Sequence, residues 1–352
     1  MFQEFVTPSQ VFEAIRYAQE KYPDDKHGDK AFQLNLKNIR PGNNNTRYLN
    51  FEILKKKSNN NWEYVPLNLK FMKLNTISRI LPPDHEKRKY PGVQLQFDSN
   101  SSFESKKIIN EKEVIIVEEY GRAKIAIAEA FKRIVESELK AKRLFVANPK
   151  ISIPVQFDRV VDSVTGQREP LEKPILRMEI KFEESSKEVI IDPKNKKNAS
   201  NKNDKIIDPN ARPKCTIYDA NKKIDKNDPD YREGELNFAP LKYDKDGKVE
   251  NITYKNIGEV ILIGSTVSGI DSMSSVVIST MGISLPSKAS LLVVSPSRGS
   301  GLYLSKIFDA TDFQMNEEHN TDVTKNNNTN DNIKNSLKEE FDDSVETNDE
   351  FD

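Results

Sequence analysis

The stretch that decides the fold runs from Asn45 to Lys73 and reads NTRYLNFEILKKKSNNNWEYVPLNLKFMK. Apolar and polar residues alternate on both sides of a Ser-Asn-Asn-Asn loop, which predicts two antiparallel strands joined as a hairpin. Since alternate side chains of a strand point to opposite faces, the odd-numbered apolar residues predict one buried face. They are Leu49, Phe51, Ile53, Val65, Leu67, Leu69 and Phe71.

The pairing of the two predicted strands follows from that common face. A five-residue loop over residues 57–61 keeps the odd-numbered positions of both strands on the same side of the sheet. This register places Tyr48 opposite Lys70 and Leu54 opposite Tyr64.

The even-numbered face of the hairpin predicts an interface for single-stranded nucleic acid. It carries the only tryptophan of the chain and two tyrosines, and several Lys and Arg residues are close to them in sequence. Bases stack on exposed aromatic rings, and cationic side chains contact the phosphates. The predicted stacking residues are Tyr48, Trp62 and Tyr64, and the predicted phosphate contacts are Arg47, Lys55, Lys56, Lys57, Lys70, Lys73 and Arg79. Arg47 has an odd position in the first strand, which is the parity of the buried face.

A packing role for the same residues is the alternative interpretation. Large aromatic side chains stabilise a protein when they are buried, so Trp62 and Tyr64 would pack under the long helix predicted further along the chain. The neighbouring lysines would then be ordinary solvated charges. The alternation of residues does not by itself decide between stacking on bases and packing in the core.

Elements outside the hairpin place the chain in the α+β class. A capping box predicts a helix over Thr7–Lys21. An apolar stripe within Lys112–Leu144 predicts the longest helix, and residues 175–182 return to strand alternation. Residues 192–235 are rich in Lys, Asn and Asp, which predicts a mobile insertion.

Charge is unevenly distributed along the chain. The net charge is −1, but the residues from Glu317 onward contain twelve acidic residues and three lysines, so this tail carries −9 and residues 1–316 carry +8. Residues 37–90 contain twelve Lys or Arg and four Asp or Glu, a net charge of +8. A local basic excess of this kind is typical of a protein that binds a polyanion.

The C-terminal tail has a second feature besides its charge. From about residue 314 the chain loses its apolar pattern, which predicts disorder, and Phe341 and Phe351 lie among carboxylates. An acidic tail with aromatic residues can dock on a basic pocket of a partner protein or compete with nucleic acid for the chain's own groove. A solubilising role is the alternative. The predicted domains are a body over residues 1–313 and a disordered tail over residues 314–352.

Several kinds of catalytic and ligand site lack the residues that they need. Cys215 is the single cysteine, which excludes an internal disulfide and a cysteine zinc site. The three histidines are far apart in sequence and no P-loop pattern occurs, so neither a histidine metal site, a Ser-His-acid triad nor a phosphate loop is expected. No apolar run has membrane-spanning length, and the first residues do not show the pattern of a secretory signal, so neither a membrane segment nor a signal peptide is expected. The sequence therefore predicts a binding protein with no catalytic activity, no cofactor and no membrane segment.

Three segments resemble a known family. They are Thr46–Leu54, Pro174–Lys181 and above all Val276–Pro286, which reads VVISTMGISLP. With the order of helices and strands over residues 1–310, they are similar to the single-stranded-DNA-binding proteins of nucleocytoplasmic large DNA viruses, of the African swine fever virus type. The resemblance implies a five-stranded, partly open OB-like antiparallel barrel elaborated with helices. It also implies coating and protection of single-stranded DNA during viral replication, and self-association.

The resemblance further implies where such a protein works. It implies replication proteins as partners of the acidic tail, and the host cytoplasm at viral replication sites, or the virion, as the location. No functional residue is transferred from the family, because the Met281-Gly-Ile element is predicted to form a strand and a turn. Two other functions stay open: a viral scaffold or virion protein that binds proteins, and an enzyme whose carboxylate site is assembled across the fold.

Overall fold

The structure is a computed structural model that describes residues 4–42, 45–80, 92–139, 150–162, 164–183, 210–223, 226–227, 238–240 and 252–295. The chain divides into two compact units. The first comprises Met1–Phe157 with Glu172–Ser297, and the second comprises Asp158–Leu171 with Arg298–Asp352.

Strands predominate over helices in the part of the chain that is described. The α-helices are α1 (Pro8–Lys21), α2 (Tyr120–Ile134) and α3 (Ile257–Val260), with a 3₁₀ turn over Asp29–Ala31 and a π-helical turn over Val135–Leu139. The strands are β1 (Phe32–Pro41), β2 (Arg47–Lys56), β3 (Trp62–Pro66), β4 (Asn68–Asn75), β5 (Gly92–Asp98), β6 (Phe103–Ile109), β7 (Lys112–Glu118), β8 (Lys150–Ser152), β9 (Val155–Asp162), β10 (Gln167–Lys181), β11 (Thr216–Lys223), β12 (Phe238–Pro240), β13 (Thr266–Ser272), β14 (Ser275–Ile278), β15 (Gly282–Ser284) and β16 (Lys288–Ser295).

Helix α1 begins and ends where the sequence predicts. The Thr7 hydroxyl accepts a hydrogen bond from the Gln10 amide (3.4 Å), and the Gln10 side chain accepts one from the Thr7 amide (2.9 Å). Pro8 occupies the first turn, where its missing N–H costs no hydrogen bond. The buried face of the helix consists of Pro8, Val11, Ala14 and Ala18. This face packs against β2 and α2.

The predicted helix over Lys112–Leu144 is wrong at its start. Lys112–Glu118 form β7 instead, and this strand pairs with β6 through a turn at Asn110 and Glu111. Both turn residues have positive φ angles, 50° and 63°, as a type I′ hairpin turn requires. Val114–Val117 is a run of four β-branched residues, which favours a strand over a helix. Helix α2 begins two residues after the strand ends.

Strand β2 pairs with three other strands of the six-stranded sheet. One of its edges pairs antiparallel with β1, and the other edge pairs with β14 in its first half and with β3 in its second half. β15 and β8 extend the sheet beyond β14. Leu49, Phe51 and Ile53 of β2 are fully buried, as the alternation predicts, and Phe51 packs edge-on against Phe131 of α2 with ring centroids 5.4 Å apart.

The eight-stranded sheet is mixed in strand direction. β16 pairs antiparallel with β13 on one edge and parallel with β10 and β11 on the other edge. β13 also pairs with β4, and β10 pairs with β5. The amide of Ile77, just after β4, donates a hydrogen bond to the carbonyl of Gln96 in β5 (3.0 Å). This bond connects the two strands at opposite ends of the path β4–β13–β16–β10–β5.

The second half of the predicted hairpin belongs to this larger sheet. β3 ends at Pro66, the Leu67 amide still donates to the carbonyl of Phe51 in β2 (3.1 Å), and β4 then pairs with β13. The predicted pairing of Tyr48 with Lys70 is therefore wrong. Tyr48 pairs with Arg40 of β1 and with Val277 of β14 instead.

The prediction of an α+β protein is confirmed, and that of an OB-like barrel is not confirmed. The described strands form two open sheets and the separate β6–β7 hairpin, with no closed barrel among them. β11 lies within the predicted insertion over residues 192–235 and pairs with β16. Most of that insertion and the whole predicted tail lie outside the described residues.

A buried polar network connects α2 to the larger sheet. The Lys124 ammonium donates hydrogen bonds to Asp271 Oδ2 (2.7 Å), Ser287 Oγ (2.8 Å) and the carbonyl of Arg177 (2.7 Å). The Tyr120 hydroxyl donates to Asp271 (2.9 Å), and so does the Ser287 hydroxyl (2.6 Å). The Lys124 and Asp271 side chains are fully buried. Burial lowers the pKa of Lys124 and raises the pKa of Tyr120 well above its usual value.

In the second unit the described residues form two strand ends and the turn between them. The Asp162 carboxylate accepts hydrogen bonds from the Thr165 hydroxyl (2.6 Å) and from the Val164 amide (2.8 Å), which lowers the pKa of Asp162. Arg168 and Asp158 form an ion pair at 3.1 Å. Val164, at the turn, is 93% exposed.

Candidate nucleic-acid interface

The β2–β3 hairpin places the basic run of the sequence next to its tryptophan. The predicted register is confirmed here, since Leu54 pairs with Tyr64 and Lys56 pairs with Trp62. Residues 57–61 form the connecting loop, closed by a 2.8 Å hydrogen bond between the backbone of its first and last residues. Lys56 and Trp62 therefore project on the same side of the sheet, as opposite residues of a β-ladder do.

A cleft of about 360 Å³ lies beside this loop, and we refer to it as the tryptophan cleft. Its volume is within the range of ordinary ligand pockets. Residues from the hairpin and from α1 line it: Gln10, Glu13, Lys55, Lys56, Lys57, Ser58, Asn60 and Trp62. The fold thus brings four of the predicted contact residues together in one place, three lysines and the tryptophan.

Trp62 stacks on a residue of α1. Its ring lies 4.2 Å from the ring of Tyr17, centroid to centroid, with an angle of 12° between the planes. Trp62 is half-buried at the margin of the core and also lines the cleft. The alternative interpretation placed Trp62 under the long helix that was predicted further along the chain. The aromatic ring that it contacts belongs to α1 instead. Tyr17 fixes the orientation of the indole ring and covers one of its faces.

Aromatic rings and cations continue from the cleft along the surface. Lys21 lies over the ring of Tyr17 at 5.3 Å, and its contact with Tyr17 raises the pKa of Lys21. Lys30 lies over the ring of Tyr22 at 4.3 Å. The hydroxyl of Tyr64, which is 37% exposed, donates to the carbonyl of Lys30 (2.7 Å). Tyr64 therefore has its hydroxyl engaged within the protein, while part of its ring is accessible.

The N-terminal segment partly neutralises the cleft lysines. The Glu4 carboxylate lies 2.6 Å from the Lys57 ammonium and 3.3 Å from that of Lys55. Lys55 also donates to the carbonyl of Phe5 (2.8 Å). The hydrogen bond from Lys57 is the main reason that the pKa of Glu4 is lowered. Lys56 is exposed and forms no ion pair with any described residue.

Tyr48 and Arg47 lie at the other end of β2. Eight residues of extended strand separate Tyr48 from Lys56, a distance of about 26 Å at 3.3 Å per residue. Tyr48 is half-buried, and its ring occupies the space that a side chain at Gly42 would need. Arg47 is exposed at the start of the strand, although its odd position predicts burial. The fold does not bring these two residues to the tryptophan cleft.

Lys70, Lys73 and Arg79 follow the chain into the larger sheet. The Lys70 ammonium lies 5.4 Å from the ring centroid of Phe5, which also has Lys55 at 6.0 Å. Lys73 is exposed at an irregularity of β4, with a positive φ of 51°. Arg79 is exposed in the segment that follows β4. Lys70 is connected to the cleft through Phe5, whereas the other two belong to a different part of the surface.

Sequence reasoning missed the residues that α1 contributes. Tyr17 and Lys21 are four residues apart, so they share one face of the helix, and this spacing could have shown them as an exposed aromatic and cationic pair. Phe5 and Glu4 gave no such signal, because their contacts with Lys55 depend on the tertiary fold. Phe341 and Phe351, the predicted docking residues of the tail, lie outside the described residues.

Other kinds of site are not evident in the described part of the chain. There, no group of three or more His, Cys, Asp or Glu side chains is placed to hold a metal ion. No helix within the described ranges has the length and apolar character needed to cross a membrane. Cys215 is buried, and burial raises the pKa of its thiol to about 12.

No protein-family model matches the chain, and no curated protein is significantly similar to it.

Proposed function

We propose that this protein binds and protects single-stranded DNA during viral DNA replication, as a member of the single-stranded-DNA-binding proteins of nucleocytoplasmic large DNA viruses. It acts by binding alone, with little sequence preference, because every base has a face on which an aromatic ring can stack. The observation that carries the proposal is the tryptophan cleft, in which an oriented indole ring and Lys55–Lys57 lie together beside further aromatic and cationic residues.

The arrangement around the cleft suits a flexible polyanion. A base stacks on the accessible part of Trp62, and Lys56 contacts a neighbouring phosphate. The strand then continues past Tyr17 and Tyr22, where Lys21 and Lys30 are exposed beside the rings. Each phosphate that a Lys or Arg neutralises releases a counterion, so the binding becomes weaker as the salt concentration rises.

The proposal includes an elaborated OB-like fold for the larger sheet. The neighbours in this sheet follow the order β5, β10, β16, β13, β4. If these five strands are numbered along the chain, that order is second, third, fifth, fourth, first. The Ile77–Gln96 hydrogen bond links the first strand to the second. This order supports a Greek-key arrangement of the OB type, in which the connection between the first two strands contacts the oligonucleotide. Arg79 lies in that connection.

The first test measures binding of labelled single-stranded DNA by fluorescence anisotropy across a salt series, with duplex DNA as competitor. We expect binding that resists the duplex and a log-log salt slope of about −0.7 for each phosphate contacted. Since Trp62 is the only tryptophan, stacking on it should also quench the intrinsic tryptophan fluorescence at the same DNA concentrations.

Variants locate the interface. Trp62→Ala should weaken binding by about 1–3 kcal/mol, roughly 5- to 150-fold in Kd. Lys56→Gln should lower the salt slope by about 0.7, since one phosphate contact is lost. Lys173→Gln is the matched control, because Lys173 is exposed on β10 away from the cleft residues in sequence, and it should bind like the wild type. Equal binding by all three variants would remove the tryptophan cleft from the proposal.

Absence of binding at low salt, also in a chain that lacks residues 317–352, would refute DNA binding as the function. The scaffold or virion-protein function would then take first place, since the exposed apolar hairpin β6–β7 favours a protein partner. An enzyme with a carboxylate site would instead show a metal requirement and loss of activity on replacing one Asp or Glu.

The proposal also covers partners and location. We propose that copies of the protein associate with one another and that the acidic tail, through Phe341 and Phe351, binds replication proteins. The host cytoplasm at viral replication sites is the proposed location, with packaging in the virion as a second possibility. Replacing both phenylalanines with Ala should abolish capture of purified replication proteins and leave DNA binding unchanged.

A further inference from the structure

The β6–β7 hairpin is a sheet of its own with a firmly held base. Neither strand pairs with a third strand among the described residues. At its base the buried Glu118 carboxylate accepts hydrogen bonds from the Ser9 amide (2.6 Å) and from the Ser105 hydroxyl (3.1 Å), and Phe103 is buried. A negative charge at the start of α1 is favourable for the helix, so this contact stabilises both elements. The hairpin therefore extends from a fixed base.

One face of this hairpin is apolar and exposed. The cross-strand pairs put six side chains on the same side, and we call this side the outer face: Glu104, Lys106, Ile108, Glu113, Ile115 and Val117. Ile108 is 81% exposed, and Ile115 and Val117 are each 58% exposed. These three residues are diagonal or sequential neighbours, so they form one apolar strip. A two-stranded sheet with an uncovered apolar strip is marginally stable in water, which favours a partner that covers it.

The charges beside the strip indicate what that partner is. Lys106 and Glu113 form an ion pair at 2.6 Å, and Glu104 is the third charge of the outer face. One positive and two negative charges disfavour a nucleic acid as the occupant. They also disfavour the chain's own tail, which carries a net charge of −9 from Glu317 onward. A surface with charges of both signs can, however, match an inverted copy of itself, with Lys106 facing a carboxylate of the other copy.

We propose that the outer face of the β6–β7 hairpin binds the same face of a second copy of this chain. A two-fold axis across the strip buries Ile108, Ile115 and Val117 of both copies against one another. The hairpin has 16 residues, fewer than the roughly 20–30 residues per side of a standard interface. The complex is therefore a weak dimer that forms and dissociates with concentration. The inference gives a location to the proposed self-association and does not depend on DNA binding.

The first test is sedimentation of the full chain without DNA over a concentration series. The wild type should change from monomer to dimer, and Ile115→Glu should associate at least tenfold more weakly, because it buries a charge in the strip. The matched control is Val164→Glu, which adds the same charge at an exposed apolar residue of the other unit and should behave like the wild type. A wild type that stays monomeric up to about 100 μM, or equal association by Ile115→Glu, would overturn the proposal.

Crosslinking tests the location of the contact directly. Cys215 is buried, with the pKa of its thiol raised to about 12, so a cysteine introduced at the surface is the reactive thiol. A short bis-maleimide should convert Ile115→Cys into covalent dimers and leave Val164→Cys monomeric. Equal dimer yields from both variants would overturn the proposal. Binding of a short oligonucleotide by Ile115→Glu should be unchanged, so that loss of DNA binding and loss of association are separate outcomes.

Discussion

Replacing Lys124 with Met tests the buried network that joins α2 to the larger sheet. The ammonium group donates to Asp271, to Ser287 and to the carbonyl of Arg177, at 2.7–2.8 Å. Met has a similar volume and stays apolar, so the change removes the charge and the three donors without opening a large cavity. What remains is a buried carboxylate that has lost its cationic partner.

The expected cost follows from that uncompensated charge. Removal of one partner from a buried ion pair destabilises a protein by about 3–5 kcal/mol. The Tyr120 and Ser287 hydroxyls still donate to Asp271, at 2.9 and 2.6 Å, which places the loss near the lower end, at about 3 kcal/mol. For a unit of this size each kcal/mol lowers the midpoint by roughly 2–4 °C, so Tm should fall by roughly 6–12 °C.

The assay is urea unfolding followed by circular dichroism, with scanning calorimetry for Tm. Lys173→Met, at an exposed lysine, is the control and should change stability by less than about 0.5 kcal/mol. The double variant Lys124→Met/Asp271→Asn should lose less than the sum of the single losses, by about 0.5–3 kcal/mol, because the unpaired charge is gone. A loss below about 1 kcal/mol for Lys124→Met, or strictly additive single losses, would refute the reasoning.

Three further predictions concern a glycine, the cysteine and the N-terminal carboxylate. Gly121→Ala should destabilise the fold by about 1–3 kcal/mol in thermal unfolding, because a Cβ would lie 1.8 Å from the carbonyl oxygen of Ser99, and an unchanged midpoint would contradict this. Cys215 should react with thiol reagents only on unfolding. Burial raises the pKa of its thiol from 9.0 to about 12, so the buried neutral thiol contributes fully to the free energy of unfolding below pH 9. This contribution is lost as the pH rises towards 12. Unfolding of the wild type and of Cys215→Ala at several alkaline pH values would measure it. Glu4→Gln should strengthen DNA binding by about two- to tenfold at low salt by releasing Lys57. Glu172→Gln, at an exposed carboxylate of β10, is the control and should bind like the wild type. Unchanged or weaker binding by Glu4→Gln would exclude competition between Glu4 and phosphate.

The local register of the central hairpin could be predicted from the sequence, and its limits have a physical cause. Alternation fixed which side of β2 is buried, and the length of the loop fixed the pairing of Lys56 with Trp62. The prediction failed beyond Pro66, where the chain passes from one sheet to the other. The apolar alternation continues without a break at that point, because both sheets bury the same kind of residue.

The residue types of the candidate site could be predicted from the sequence, but the residues that contact them from other parts of the chain could not. The run Lys55–Lys57 and Trp62 are local in sequence, so the loop brings them together. Tyr17 of α1 and Glu4 of the segment before α1 contact the same cleft residues through the tertiary fold. Such contacts leave no periodic signal in the sequence. For β7, an apolar stripe at helical spacing was outweighed by four consecutive β-branched residues, whose preference for a strand decided the local structure.

Helix α1 has one further consequence, because it contacts both the tryptophan cleft and the base of the β6–β7 hairpin. Ser9, in its first turn, is bonded to Glu118 at the base of the β6–β7 hairpin, and Tyr17 supports the indole ring of Trp62. Eight residues of helix separate these contacts, about 12 Å along a stiff rod. If both proposals hold, neighbouring molecules would meet a short distance from the strand that they hold. Molecules would then occupy a long strand in pairs, because a bound copy brings its partner's cleft to the DNA and a two-fold contact closes at two copies.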